Sequence, residues 1–153
     1  MKLAQFLAEQ QVHFQTLIHP PAFSAQKRAK YLNIPGHQVA KTVLLAGPED
    51  YFLAILPATH HIDTEALARA LGGPVRLADD KEIADVFRDC EWGVVPPFGT
   101  LYGLSVVLDD SLRPEAMVVF IGSTHVEAIR MRCRDFERLE RPVRLPFARR
   151  EAS

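Results

Sequence analysis

Three short segments of this 153-residue chain carry groups able to do chemistry. The first, Val39-Ala40-Lys41-Thr42-Val43-Leu44-Leu45, sets one amine in an apolar run. Read as a strand, it puts Val39, Lys41, Val43 and Leu45 on one face. An ammonium among aliphatic side chains must extend to an edge, meet an anion, or lower its pKa and stay neutral. The plain alternative is a strand-end lysine whose methylenes cover apolar surface. The second segment, Gly93-Val94-Val95-Pro96-Pro97-Phe98-Gly99, is a glycine-bracketed loop in which two prolines fix φ, so its main-chain groups are held in one shape for a ligand. In the third, the strand-like run Met117 to Ile121 releases into Gly122-Ser123-Thr124-His125, a small polar turn of the kind that often faces ligands. Ser123 near His125 raises hydrolytic-serine chemistry, but no nucleophile elbow surrounds it and no acidic partner follows at a recognisable place.

The elements that must position these segments follow from periodicity and caps. Leu3, Phe6 and Leu7 predict an amphipathic helix from about Lys2 to Gln11, and Val12, Phe14 and Thr16 a short strand. His19-Pro20-Pro21 breaks that strand, and Ser24 is an N-cap for a helix from Ala25 to about Leu32. The Lys41 strand, the turn Gly47-Pro48-Glu49-Asp50 and a strand from Tyr51 to Leu56 read as a hairpin. Asp63 caps a helix closed by Gly72-Gly73, and Asp79 or Asp80 caps another that carries Ile83, Val86 and Phe87. Strands are expected at 75–77, 104–108 and 117–121, and again where Ile129, Met131 and Cys133 alternate with Arg130, Arg132 and Arg134. Asp135 is expected to cap a last short helix, and the end of the tail from Arg141 to Ser153 to be loose. Strands outnumber helices without regular strand-helix alternation, which predicts an α+β fold with a mixed, largely antiparallel sheet flanked by helices. The length fits a single domain over 1–153.

Composition sets the outer bounds. Hydrophobic residues make up 48% and charged residues 24%, as in ordinary globular proteins. No apolar run reaches the length of a membrane span, and the N-terminus turns polar by Glu9, so a cytoplasmic protein with no membrane partner is expected. Cys90 and Cys133 lack Cys-x-x-Cys spacing and read as free thiols, and the acidic neighbours of Cys90 disfavour a thiolate nucleophile. His60-His61-Ile62-Asp63 invites a metal, yet adjacent histidines on a strand point apart and Asp63 serves as a cap, so no metal site is expected. His13, His19 and His37 read as surface or cap residues. Net charge is -1, but residues 130–150 hold eight arginines against three acids. That asymmetry predicts a basic face, with Arg130 and Arg132 on it, for a phosphate backbone, and with Lys27, Arg28 and Lys30 extending it. The bland alternative is a solvated segment whose arginines pair with its own carboxylates.

Lys41 in Val-Ala-Lys-Thr, the Gly93 to Pro97 loop continued by Phe98-Gly99, and the Gly122 to His125 turn, in this order and at this separation, resemble the YbaK/ProX family of aminoacyl-tRNA editing domains. The likeness runs from about His19 to Leu139. Each motif alone is common; the ordered set is specific. The resemblance implies a trans-acting deacylase that hydrolyses the ester of a mischarged tRNA with no cofactor, metal or covalent nucleophile, helped by the substrate's own ribose hydroxyl. It implies catalytic roles for Lys41 and His125, and substrate contacts from Thr42, Gly93, Val94, Val95, Pro96, Pro97, Phe98, Gly122 and Ser123. The implied partner is aminoacyl-tRNA, optionally delivered by a synthetase, with no DNA. Thr42 after Lys41 resembles the branch acting on cysteinyl-tRNA(Pro), whereas the Gly122 to His125 turn does not match that branch, so alanine, cysteine, serine and threonine all stay open. A non-catalytic RNA- or synthetase-binding module is the alternative.

Overall fold

The structure, a computed structural model, describes residues 2–150. Helix α1 (Lys2–Glu9) leads into strand β1 (Phe14–Ile18) and helix α2 (Ala25–Leu32). Ser24 caps α2 as expected, its hydroxyl accepting from the Lys27 amide. Strands β2 (Ala40–Ala46) and β3 (Tyr51–Pro57) form the predicted antiparallel hairpin, with Lys41 opposite Leu56. Short β4 (His60–Ile62) precedes α3 (Thr64–Leu71), then come β5 (Arg76–Leu77) and α4 (Asp80–Val86). Asp79 is the residue that caps α4, in a reciprocal capping box with Glu82. After the proline loop come β6 (Ser105–Asp109), β7 (Met117–Ile121), β8 (Glu127–Arg132), α5 (Cys133–Glu140), β9 (Val143–Leu145) and β10 (Ala148–Arg150).

The strands make a mixed, largely antiparallel arrangement. One sheet runs β5-β2-β3-β6-β9, with β6 parallel to both β3 and β9; a second, antiparallel sheet runs β1-β8-β7. A single parallel bridge between Val39 and Val119 ties the two together. Strand β3 is buried over six of its seven residues, as a central strand covered on both faces must be. One face joins Leu44, Leu53, Ile55 and Leu108 to Leu7 of α1 and Phe136 of α5. The other joins Leu45, Phe52, Ala54 and Leu56 to Leu67 of α3 and to Phe147. Within the first core, Phe98 meets Phe136 edge-on at 5.5 Å, and Phe136 stacks on Phe120 at 4.6 Å.

Some expectations fail for identifiable reasons. The eighth strand ends at Arg132, and Cys133 and Arg134 open α5 rather than continue the alternation; Asp135 lies in the first turn and is not its cap. Cys133 turns inward at that junction, where burial pushes its thiol up to about 11. His19 is buried, because its amide continues the β1 ladder to the Val126 carbonyl at 3.0 Å and its Nδ1 donates to the Pro20 carbonyl at 2.8 Å. The tail is pinned as far as Arg150, and the end expected to be loose falls, from residue 151 on, outside the described residues. The buried carboxylate of Asp109 accepts from the Phe147 and Ala148 amides at 3.0 and 2.8 Å, and from the Ser111 amide at 3.0 Å. This lets β9 add to β6 and β10 pair with β4.

Asp109→Ala removes the acceptor of three amides, of which that of Phe147 keeps only the Leu145 carbonyl at 3.2 Å, and is expected to cost about 2–4 kcal/mol, by the usual worth of hydrogen bonds to a charged group. Urea denaturation measures that loss, and limited proteolysis should show cleavage near Phe147 that the parent chain resists. Equal stability and equal protease resistance would show that β9 and β10 are held by something else.

Candidate active site

Strand β2 is paired along one edge with β3, and along its other edge the strand pairing among the described residues is confined to its ends. Val39 bridges to β7, and Leu45 and Ala46 pair with β5. Between them, Ala40, Lys41, Thr42 and Val43 line a cavity of about 210 Å³. Gly93 and Val95 of the proline loop, with Ile121 and His125, contribute a second wall. Phe23, Ser24, Ala25, Gln26 and Arg28, at the entrance to α2, complete it. The predicted residues Lys41, Thr42, Gly93, Val95 and His125 are thus brought to one cavity.

The loop's shape has a local cause. Phe98 is anchored in the aromatic core, and Gly99 must lack a side chain, since a Cβ there would sit 2.5 Å from the Leu104 carbonyl oxygen. Gly93 adopts φ +85°, a conformation natural to glycine, at the point where the chain passes the His125 ring. Val94, Pro96, Pro97 and Phe98 are buried without lining the cavity; they hold the loop rather than present it. Gly122 is also set back, its amide donating to the Glu127 carbonyl at 3.0 Å, and Ser123 lines a separate depression beside Pro96 and Phe98.

His125 is the hinge pin of the second wall. Its Nε2 lies 2.8 Å from the Trp92 carbonyl oxygen, which can only accept, so Nε2 carries the proton and Nδ1 the lone pair. Its amide donates to Glu91 Oε1 at 3.2 Å, and the Glu91 amide donates to the Ser123 carbonyl at 3.0 Å. The exposed ring of Phe23 leans over the imidazole at 4.6 Å. Three buried polar atoms have no hydrogen-bond partner and belong to residues of this one cavity: Arg28 Nε, Thr42 Oγ1 and His125 Nδ1. Buried polar groups are normally satisfied, so such a concentration marks a place prepared for an absent partner.

Arg130 and Arg132 are not brought to this cavity. Arg130 lines a different depression with His37, Gln38 and Arg113, and Arg132 is exposed and donates to the Glu115 carbonyl at 3.1 Å. Other arginines of the basic segment are engaged within the fold: Arg144 donates to the Leu112 carbonyl at 2.6 Å, and Arg149 Nε to Asp63 at 2.6 Å. Asp63 also caps α3 through the Ala66 amide, and that bond first, then Arg149, holds its carboxyl below the usual range. Arg28 departs furthest from expectation: instead of extending a basic surface it is 3% exposed. Sequence reasoning missed the whole Phe23 to Arg28 wall. Its signal was present, since Ala25, Arg28, Ala29 and Leu32 fall at helical spacing on one face.

The fold and cavity fit a family. The model described as aminoacyl-tRNA editing domain matches residues 19–139, and the chain belongs to that family. None of the curated proteins matches it significantly. Among solved structures, the hypothetical protein APE2540 superposes with TM-score 0.86 at 18% identity, covering 97% of this chain and 100% of that one. A protein proposed as a trans-editing enzyme for prolyl tRNA synthetase superposes with TM-score 0.83 at 22% identity, over 99% and 96% of the two chains. A protein of Marinobacter aquaeolei VT8, proposed to act in signal transduction, gives 0.74 at 21% identity, over 95% of this chain and 30% of that one. At these identities the superpositions establish the fold alone.

His125→Ala removes the donor to Trp92 and is expected to cost about 1 kcal/mol. Amide hydrogen exchange at Gly93, Val94 and Val95 should accelerate at least fivefold while exchange in β3 changes only with global stability. Unchanged loop exchange would show that the imidazole does not hold that wall.

Proposed function

We propose that the protein is a trans-acting aminoacyl-tRNA deacylase whose catalytic cavity lies between Lys41 and the Gly93 to Val95 main chain. The observation that carries this reading is the gathering of Lys41, the loop backbone and the three unpartnered buried polar atoms around one small cavity. Membership of the editing family supports it, as does the likeness to the proposed prolyl trans-editing enzyme.

In the reaction, water oxygen attacks the ester carbonyl, the bond from carbonyl carbon to ribose oxygen breaks, and the ribose oxygen leaves as a hydroxyl. Charge builds on the carbonyl oxygen during attack. Lys41, on the stretch of β2 that lines the cavity, supplies the positive charge that offsets it, and main-chain groups of the loop orient the aminoacyl group. His125 acts as a positioning residue through the Trp92 carbonyl, since its one N–H is already given to that bond. Thr42 Oγ1 is a donor or acceptor awaiting a partner. Alanine, cysteine, serine and threonine stay open as the amino acid removed, since a pocket separates neighbours differing by one methylene only modestly, with tRNA(Pro) the leading carrier.

The test is a panel of tRNAs mischarged with those amino acids. At least one should be deacylated, and Lys41→Ala should lower kcat/KM by about 10²–10³, the usual cost of one oxyanion donor. Binding of the panel without turnover, unaffected by Lys41→Ala, would make the domain a non-catalytic RNA-binding module. For the wider contact, Arg130→Glu or Arg132→Glu should weaken tRNA binding and reduce the slope of log affinity against log salt by about 1 per lost phosphate contact. An unchanged slope would place the tRNA body on another face.

A further inference from the structure

Arg28 is the most heavily buried cationic side chain among the described residues, and nothing described neutralises it. Among the described residues its Nη2 reaches only the Ala22 carbonyl at 3.4 Å, its Nε has no partner, and no carboxylate lies within ion-pair distance. Burial pulls the guanidinium down to about 10, which leaves it charged at neutral pH. An uncompensated buried charge costs stability, and an apolar residue of similar volume would serve the fold at least as well.

The surroundings say what would offset it. The cavity lining contains Arg28 and Lys41 and no acidic residue. The lining also includes the first turn of α2. There Ser24 Oγ caps the Lys27 amide at 3.1 Å and the Ser24 carbonyl takes the Arg28 amide at 3.1 Å, while the Ala25 and Gln26 amides have no acceptor among the described residues. A helix start with unspent amides, a buried guanidinium fork and a lysine across the gap favour a tetrahedral oxyanion, whose oxygens point in several directions and can accept from several sides at once.

We propose that Arg28 and the first amides of α2 form a phosphate subsite that grips the phosphodiester leading into the substrate's terminal nucleoside, so that the ester is delivered to Lys41. The identity of that phosphate rests on the deacylase reading; the existence of the anion subsite does not. Arg28 is then a binding residue whose charge is kept at the expense of stability.

Binding of adenosine, of adenosine 5′-(methyl phosphate) and of inorganic phosphate to the whole chain tests this without any acyl group. The methyl phosphate should bind at least about tenfold more tightly than adenosine, as a charge-assisted hydrogen bond allows. The Nε–H resonance of Arg28 in the parent protein should shift with the methyl phosphate and not with adenosine. Arg28→Met should erase the preference while its unfolding midpoint stays level or rises, and Arg28→Lys should keep part of it. A preference that survives Arg28→Met, or an Arg28 resonance indifferent to the phosphate, overturns the proposal. So does a lowered midpoint in Arg28→Met together with an intact preference in Arg28→Lys, which would mark a structural arginine. Inorganic phosphate binding as tightly as the methyl phosphate would reassign the site to a free anion and overturn the RNA assignment. If no mischarged tRNA is cleaved but the Arg28-dependent preference stands, the deacylase reading fails and the subsite remains.

Discussion

The site depends on one clamp, in which the turn before β8 holds the proline loop through the pairing of His125 with the Trp92 carbonyl and of Glu91 with the His125 amide and Ser123 carbonyl. Both ends of the clamp stand on rigid supports. On one side Phe98 is locked among Phe6, Phe120 and Phe136; on the other, β7 and β8 belong to a hydrogen-bonded sheet that reaches β2 through Val39 and Val119. The gap left along β2 is therefore bounded by elements that cannot drift independently. Preorganisation of this kind is what the proposed water-mediated ester hydrolysis would need, because that reading has no covalent step to compensate for loose positioning.

Electrostatics gives the cavity its character. Acidic side chains are absent from its lining, and its cations are unequal in kind: Lys41 is half-buried on a strand edge, whereas Arg28 is sunk beneath the start of α2. Other arginines that the fold draws into contact are paired, Arg149 with Asp63, Arg144 with Glu137 and Arg76 with Glu82. The contrast makes Arg28 an exception that packing does not explain and anion binding does.

Much of the fold was legible in the sequence because its signals are local. Ser24, Asp63 and Asp79 cap helices where their chemistry predicts, and the β2–β3 hairpin follows from two apolar runs around Gly47 to Asp50. What stayed hidden depends on partners far away in the chain. Residues 143–150 carry no strand pattern of their own, and they are placed when Asp109 collects the Phe147 and Ala148 amides across 38 and 39 positions. The site divides the same way. Lys41, Gly93 and His125 stand out by type and spacing, but the distinction between loop residues that line the cavity and those that only brace it, such as Val94 and Pro96, is set by burial. Arg28 was obscured by Lys27 and Lys30, whose exposure suggested a basic surface, although helical periodicity already put it on the face of Ala25 and Ala29.

A crystal structure with a non-hydrolysable analogue, an alanyl or cysteinyl group joined through an amide to 3′-amino-3′-deoxyadenosine, tests the central claim most directly. The account predicts the analogue's carbonyl oxygen within hydrogen-bond distance of Lys41 Nζ and its aminoacyl group against Gly93 and Val95. An analogue seated elsewhere, with the Lys41 cavity empty, would contradict it.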